Sequence, residues 1–203
     1  MRVSMPPATR VLLFINVAVF AVQLLTGDLL LRPFALWPPA SAQFPGAPSF
    51  QAWQLLTYGF LHGSLTHLFF NMFALYMFGG ALEQVVGPRR YTAYYLVSVV
   101  TAAITQLVVM AFAREIYPTV GASGGVFGLL LAYAVYFPNN RVFFLLVPFP
   151  IKARVFVLIY AALELFLGVT GTQEGVAHFA HLGGLIGGGL MLAYWRRGRF
   201  LRR

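Results

Sequence analysis

The feature that most constrains this chain is a succession of six apolar segments, most of them as long as a membrane crossing. An α-helix needs about 20 apolar residues to span the roughly 30 Å hydrocarbon core of a bilayer. By that measure the sequence predicts helices near 11–31, 65–82, 91–113, 123–137, 153–169 and 176–195, the fourth being short. Only 9% of the residues are charged, against about 25% in a soluble domain. That is too little charge to cover a water-facing surface, and lipid supplies the missing cover. The expected architecture is an all-α membrane protein with one transmembrane domain over residues 1–203 and the lipid bilayer as its surroundings.

Composition also removes several chemistries. Cysteine is absent, so disulfides, thiolate metal sites and a cysteine nucleophile are excluded. The acids are Asp28, Glu83, Glu115, Glu164 and Glu174. A two-aspartate mechanism has only one aspartate to draw on. The net charge of +9 raises nucleic acid as a partner, but the basic residues sit in loops and at the ends, as cytoplasmic flanks of membrane helices do. With the N-terminus inside, twelve basic residues fall on the cytoplasmic side and only Arg32 and Arg114 outside. That asymmetry supports an even number of crossings with both termini cytoplasmic. The first segment is longer than a signal-peptide core and lacks a clear cleavage site after it, so it reads as a retained helix. Between the first two segments, 32–54 holds five prolines and cannot be one regular helix. It is too apolar for a solvated loop, and the expectation is a membrane-embedded first loop with Trp37 and Trp53 at headgroup level.

Helices two, four and six then all begin on the outer side. Helix two carries His67 and Asn71, helix four opens on Gly121-Ala122-Ser123-Gly124, and helix six carries His178 and His181. Polar groups at such depth are costly and usually face the bundle interior or a water-filled cavity. A serine hydroxyl needs an adjacent base to become nucleophilic, and histidine is the usual one. Ser123 and His181 are the natural pair. Gly124 and Gly128 on helix four, with Gly183/Gly187 and Gly184/Gly188 on helix six, have the four-residue spacing that lets helix backbones approach closely. No aspartate is placed to orient the imidazole, so a dyad is the serine mechanism that fits easily. Phe127, one turn beyond Ser123, is expected to stack on His181. His67 and Asn71, four apart on one helix face, with the Ser123 amide, are candidate donors to an oxyanion.

These residues resemble a known family. The run from Trp53 to His62 with His67-Leu-Phe-Phe-Asn71, the Gly121–Gly124 tetrapeptide, and Ala180-His181-Leu182-Gly183-Gly184 with Gly188 resemble the three motifs of the rhomboid intramembrane serine proteases. The resemblance extends over nearly the whole chain. It implies a six-helix bundle that cleaves single-span membrane proteins in or near their transmembrane segments, by a serine–histidine dyad and without cofactor or metal. It implies Ser123 as nucleophile, His181 as general base, and His67, Asn71 and the Ser123 amide as oxyanion donors, with Gly121 and Gly124 belonging to the nucleophile motif. It further implies that 168–175 forms a cap over the site and that helix five is a lateral gate. Some members have Trp-Arg where this chain has Trp53-Gln54. No large cytoplasmic domain or seventh helix is seen, which suggests a minimal form in a bacterial inner membrane.

Blander readings stand beside these. A lone Ser123 would be read as a helix cap. His178 is the rival base but is expected to be structural, and His62 is expected at the interface. Glu83 is assigned a structural pairing, and Glu164 is left between a structural pair and a cavity lining. A catalytically dead relative that escorts membrane proteins would usually lack the serine or the histidine. A small transporter would need polar residues continuing inward, and the helices below Asn71, Ser123 and His181 are almost wholly apolar.

Overall fold

A computed structural model describes residues 5–114, 116–143, 149–171 and 177–200, with the side chains of 198–200 left aside. Nine α-helices are described. The first, α1 (Pro7–Thr26), is opened by proline and ends at Gly27, whose φ of +53° suits a residue without a β-carbon. The sequence reading ran this helix on to residue 31. Instead the chain breaks at Gly27 and restarts as the short α2 (Asp28–Phe34). The proline-rich stretch that follows contains one 3₁₀ turn (Pro39–Gln43) and leads into α3 (Gln54–Thr57) and a second 3₁₀ turn (Tyr58–Phe60).

The second crossing is a single run of helix in three parts: α4 (Leu65–Ala74), a π-helical turn (Leu75–Gly79) and α5 (Gly80–Val86). The Ser64 side chain caps it by accepting from the His67 N–H. Then come α6 (Pro88–Ala113), α7 (Ser123–Tyr136), α8 (Ala153–Thr170) and α9 (His178–Phe200). Between α7 and α8 a small antiparallel ladder pairs β1 (Arg141–Val142) with β2 (Ile151–Lys152), a departure from a purely helical chain. Four helical runs are long and apolar enough to cross a membrane: Pro7–Thr26, Leu65–Val86, Pro88–Ala113 and Ala153–Thr170. Ser123–Tyr136 is apolar but shorter. In α9 the length suffices, while glycines, two histidines and a basic end dilute its apolar character.

α6, α7 and α9 pack together as the centre of the bundle. Along α7 most residues are buried. By contrast α8 buries only Ala153, Phe156, Val157 and Glu164, and turns residues such as Leu158 and Phe166 outward. Exposed Phe14, Leu25, Phe69 and Leu190 continue this apolar outer surface round the bundle. A surface of that kind is stable against lipid tails and unstable against water.

Glycine decides how near the central helices come. A β-carbon on Gly184 would run into the Gly124 carbonyl, and one on Gly188 would run into the Tyr94 hydroxyl of α6 while lying 3.3 Å from the Gly128 Cα. Gly184 therefore faces α7, and Gly188 sits between α6 and α7. The Gly183/Gly187 set faces α6 instead, where β-carbons would collide with Thr105 and Thr101. One glycine repeat of α9 thus packs on α6, while the other reaches α7 as well. At the far end of the bundle Glu83 accepts from the backbone N–H groups of Ala8 (2.9 Å) and Thr9 (2.7 Å) and from the Thr9 hydroxyl (2.8 Å). The carboxylate satisfies free donors at the start of α1 and ties that helix to α5.

Candidate active site

Ser123 is the first residue of α7, and the segment leading to it is anchored to the first loop. Leu36 and Thr119 exchange backbone hydrogen bonds of 3.0 and 2.9 Å, and the Gly121 N–H donates to the Tyr58 carbonyl at 3.0 Å. The Tyr58 hydroxyl in turn donates to the Val99 carbonyl on α6. Gly121 has a φ of +134°, and a β-carbon there would come within 2.7 Å of the His67 ring. Only glycine meets both conditions. Its bareness lets the His67 imidazole lie beside the start of α7.

Across the α7–α9 contact the Ser123 hydroxyl lies 2.8 Å from His181 Nε2. Phe127 stacks flat on the imidazole, with ring centroids 4.3 Å apart and planes inclined by 7°. On the far side of the ring His181 Nδ1 is 2.9 Å from the Oε2 oxygen of Glu164 on α8. His178 Nδ1 lies 2.6 Å from that same oxygen. All three residues of this acid–histidine group are buried. His178 thus turns to Glu164 rather than to the serine.

Glu164, His178 and His181 also form a group that could hold a metal ion, their ligand-type atoms lying within 4.8 Å of one another. Ligands sharing one zinc ion stand about 3.3 Å apart, as bonds of about 2.0 Å in tetrahedral array require. Here both imidazole nitrogens are closer than that to the carboxylate oxygen, at hydrogen-bonding distance.

His67 accepts at Nδ1 from the Gly63 N–H in a long 3.4 Å contact. That leaves its Nε2 to carry the proton, on the side facing Gly121. Asn71 is buried one turn further along, and its side-chain amide donates to the His67 carbonyl at 3.0 Å. Its second amide proton is free for another acceptor. The Ser123 N–H, in the first turn of α7, has no intrahelical acceptor.

One reading of the sequence changes here, and two residues left open by it gain partners. His62 was expected at the interface, and it is fully buried. The Gln23 side chain brackets its backbone, accepting from the His62 N–H and donating to its carbonyl, which draws the residue inward. Its ring meets those of Phe20 and His67 edge-on. Gln54, where some relatives have arginine, is fully buried and accepts from the Trp37 and Gln51 N–H groups, so it organises the first loop. Glu164 had no assigned partner and proves to be joined to both histidines. A carboxylate in the middle of an apolar segment was its signal, because such a charge must be paired. The cap expected over 168–175 lies outside the described residues from 172 onward.

The Rhomboid domain model matches residues 49–198, about three quarters of the chain. The chain belongs to the rhomboid family. Among curated rhomboids, Rhomboid protease GluP of Bacillus subtilis (strain 168) is 35% identical over 136 residues, 67% of this chain and 24% of that protein. Rhomboid protease GlpG of Yersinia pestis (strain Pestoides F) is 26% identical over 197 residues, 96% of this chain and 64% of that protein. The chain therefore spans about a quarter of the length of the first and just under two thirds of the second. A helical membrane bundle with several crossings is what both the rhomboid match and the apolar helices describe.

Proposed function

We propose that this rhomboid is a serine endopeptidase that cuts single-span membrane proteins in or near their transmembrane segments, with Ser123 as nucleophile and His181 as general base. The observation that carries the reading is the 2.8 Å contact between the Ser123 hydroxyl and His181 Nε2, with the imidazole buried between α7, α8 and α9. The names of the curated relatives support the same class of reaction.

In this mechanism His181 Nε2 takes the hydroxyl proton as Ser123 Oγ bonds to the scissile carbonyl carbon. Negative charge then gathers on the carbonyl oxygen. The Ser123 N–H, His67 Nε2 and the Asn71 amide are the donors available to it. As the peptide C–N bond breaks, the proton on Nε2 passes to the departing amine. Water attacks the resulting ester with His181 again as base, releasing the new carboxyl end and restoring Ser123. The distribution of basic residues supports a reading with both termini on the cytoplasmic side of a bacterial inner membrane and the site opening towards the outer face.

The test is cleavage of a single-span substrate with a helix-destabilising segment, by purified protein in liposomes. Wild type is compared with Ser123→Ala, His181→Ala and His178→Ala, and a fluorophosphonate probe is located by mass spectrometry. Loss of cleavage in the first two variants, with the probe on Ser123, is the expected result. Loss in His178→Ala with retention in His181→Ala would replace the base, and a folded wild type that neither cuts nor labels would reject the activity.

A further inference from the structure

Resting on that reading, we infer that Glu164 is the third member of the catalytic group, a positioning residue that acts through His181. The geometry has the features such a role needs. The carboxylate oxygen is 2.9 Å from His181 Nδ1, while the opposite nitrogen of the same ring is 2.8 Å from the Ser123 hydroxyl. A carboxylate only accepts, so Nδ1 must carry the ring proton. Nε2 is then left with a lone pair directed at the serine, the tautomer that a general base requires. The same carboxylate stabilises the imidazolium that forms once the proton has moved.

Two further observations separate this from a packing accident. Glu164 is buried, on a helix whose neighbouring residues Leu163, Leu165 and Phe166 are exposed and apolar. A carboxylate turned inward from such a helix carries a large desolvation cost unless it is hydrogen-bonded. His178 supplies a second donor to the same oxygen at 2.6 Å, and so holds Glu164 where His181 needs it. The acid and the base come from different helices. The hydrogen bond from the acid to the base therefore exists only while α8 lies packed against α9.

The experiment compares wild type, Glu164→Gln and Glu164→Asp in liposomes, measuring kcat and KM for a single-span substrate, and thermal midpoints. Glutamine keeps the volume but can present an N–H to Nδ1, which favours the wrong tautomer. The expected result is a fall in kcat of about 10²- to 10⁴-fold in Glu164→Gln, with KM within about threefold of wild type and partial recovery in Glu164→Asp. A purely structural role would instead lower the thermal midpoint and the folded fraction, with kcat per folded molecule unchanged, and would overturn the inference. Nitrogen-15 imidazole spectra of the wild type give a readout that needs no variant at the acid. They should show His181 protonated at Nδ1 and bare at Nε2 at neutral pH; the reverse assignment would overturn it. A wild type that cuts nothing rejects the protease reading. A cutting wild type whose Glu164→Gln variant keeps kcat within about threefold rejects the role of Glu164 alone.

Discussion

The Phe127 ring and the His181 imidazole lie face to face, 4.3 Å between centroids and 7° between planes, while Tyr160 of α8 packs against Phe127 from a centroid distance of 4.9 Å. Stacking limits the rotation of the imidazole, so in the proposed mechanism Phe127, one helical turn on from Ser123, helps to orient the base. Phe127→Leu keeps an apolar side chain of similar bulk and removes the flat face. Aromatic pairs contribute about 0.5–1.5 kcal/mol beyond area burial, which converts to a loss in kcat of about two- to tenfold. KM and the thermal midpoint should change little. An unaltered kcat would show that the stack does not orient the base.

The contact between α7 and α9 is set by missing β-carbons. Gly184→Ala puts a methyl group into the Gly124 carbonyl, a backbone atom that cannot rotate away. The helices must part, and Ser123 with them. Fluorophosphonate labelling should fall at least about tenfold, and the thermal midpoint should drop through overpacking that costs about 1–3 kcal/mol. Gly189→Ala is the control, because its nearest neighbour is the Leu131 side chain at an ordinary 3.7 Å. There alanine's better helix propensity should leave stability equal or slightly raised. Equal labelling in the two variants would contradict the close-packing account.

The proposed oxyanion donors make a separable prediction. His67→Ala and Asn71→Ala should each lower kcat by about 10²- to 10³-fold, the usual cost of removing one such donor, with smaller changes in KM. Gly121→Ala should lose activity with them, since its methyl group would displace the His67 ring. Steady-state kinetics on folded protein checks this. A rise in KM alone would assign these residues to substrate binding.

His62 lies in the turn before α4, and burial pushes its pKa down to about 4, with the neighbouring His67 acting in the same direction. The nearby Phe60 backbone offsets this only in part. The folded form thus holds a neutral ring while the unfolded chain protonates near pH 6.5. Between those two values the unfolded state binds more protons, so stability is fully present above about pH 6.5 and declines as the pH falls towards 4. The linkage amounts to about 2 kcal/mol between pH 7 and pH 5. Thermal midpoints in detergent should fall over that range by less in His62→Phe than in wild type. Identical pH slopes would refute the assignment.

The errors of the sequence reading are local and share a cause. Apolar length carries the first helix past Gly27 because residues 29–31 are again leucines after Gly27 and Asp28, and hydropathy does not register a single positive φ. His62 is expected at the interface because it lies in the loop before the second crossing; the long-range bracket from Gln23, 39 residues earlier, draws it in. The spacing of the glycines is plain, but not that one repeat of α9 packs on α6 and the other reaches α7 as well. Rotation of a helix about its axis depends on all its neighbours together, and spacing alone does not specify it.

What the sequence determined by itself is the class of molecule and the parts of the site. A chain with so few charges and so many long apolar runs has to bury its surface in lipid, and its few polar side chains have to turn inward, which singled out Ser123, His181, His67 and Asn71 in advance. The tertiary structure alone decided what those groups touch. Ser123 and His181 are 58 residues apart in sequence and 2.8 Å apart in space, and Glu164 reaches both histidines only because α8 packs in one particular rotation against α9. A hydrogen bond depends on tenths of an ångström and on direction. Those are properties of packed helices and not of any one segment of the chain.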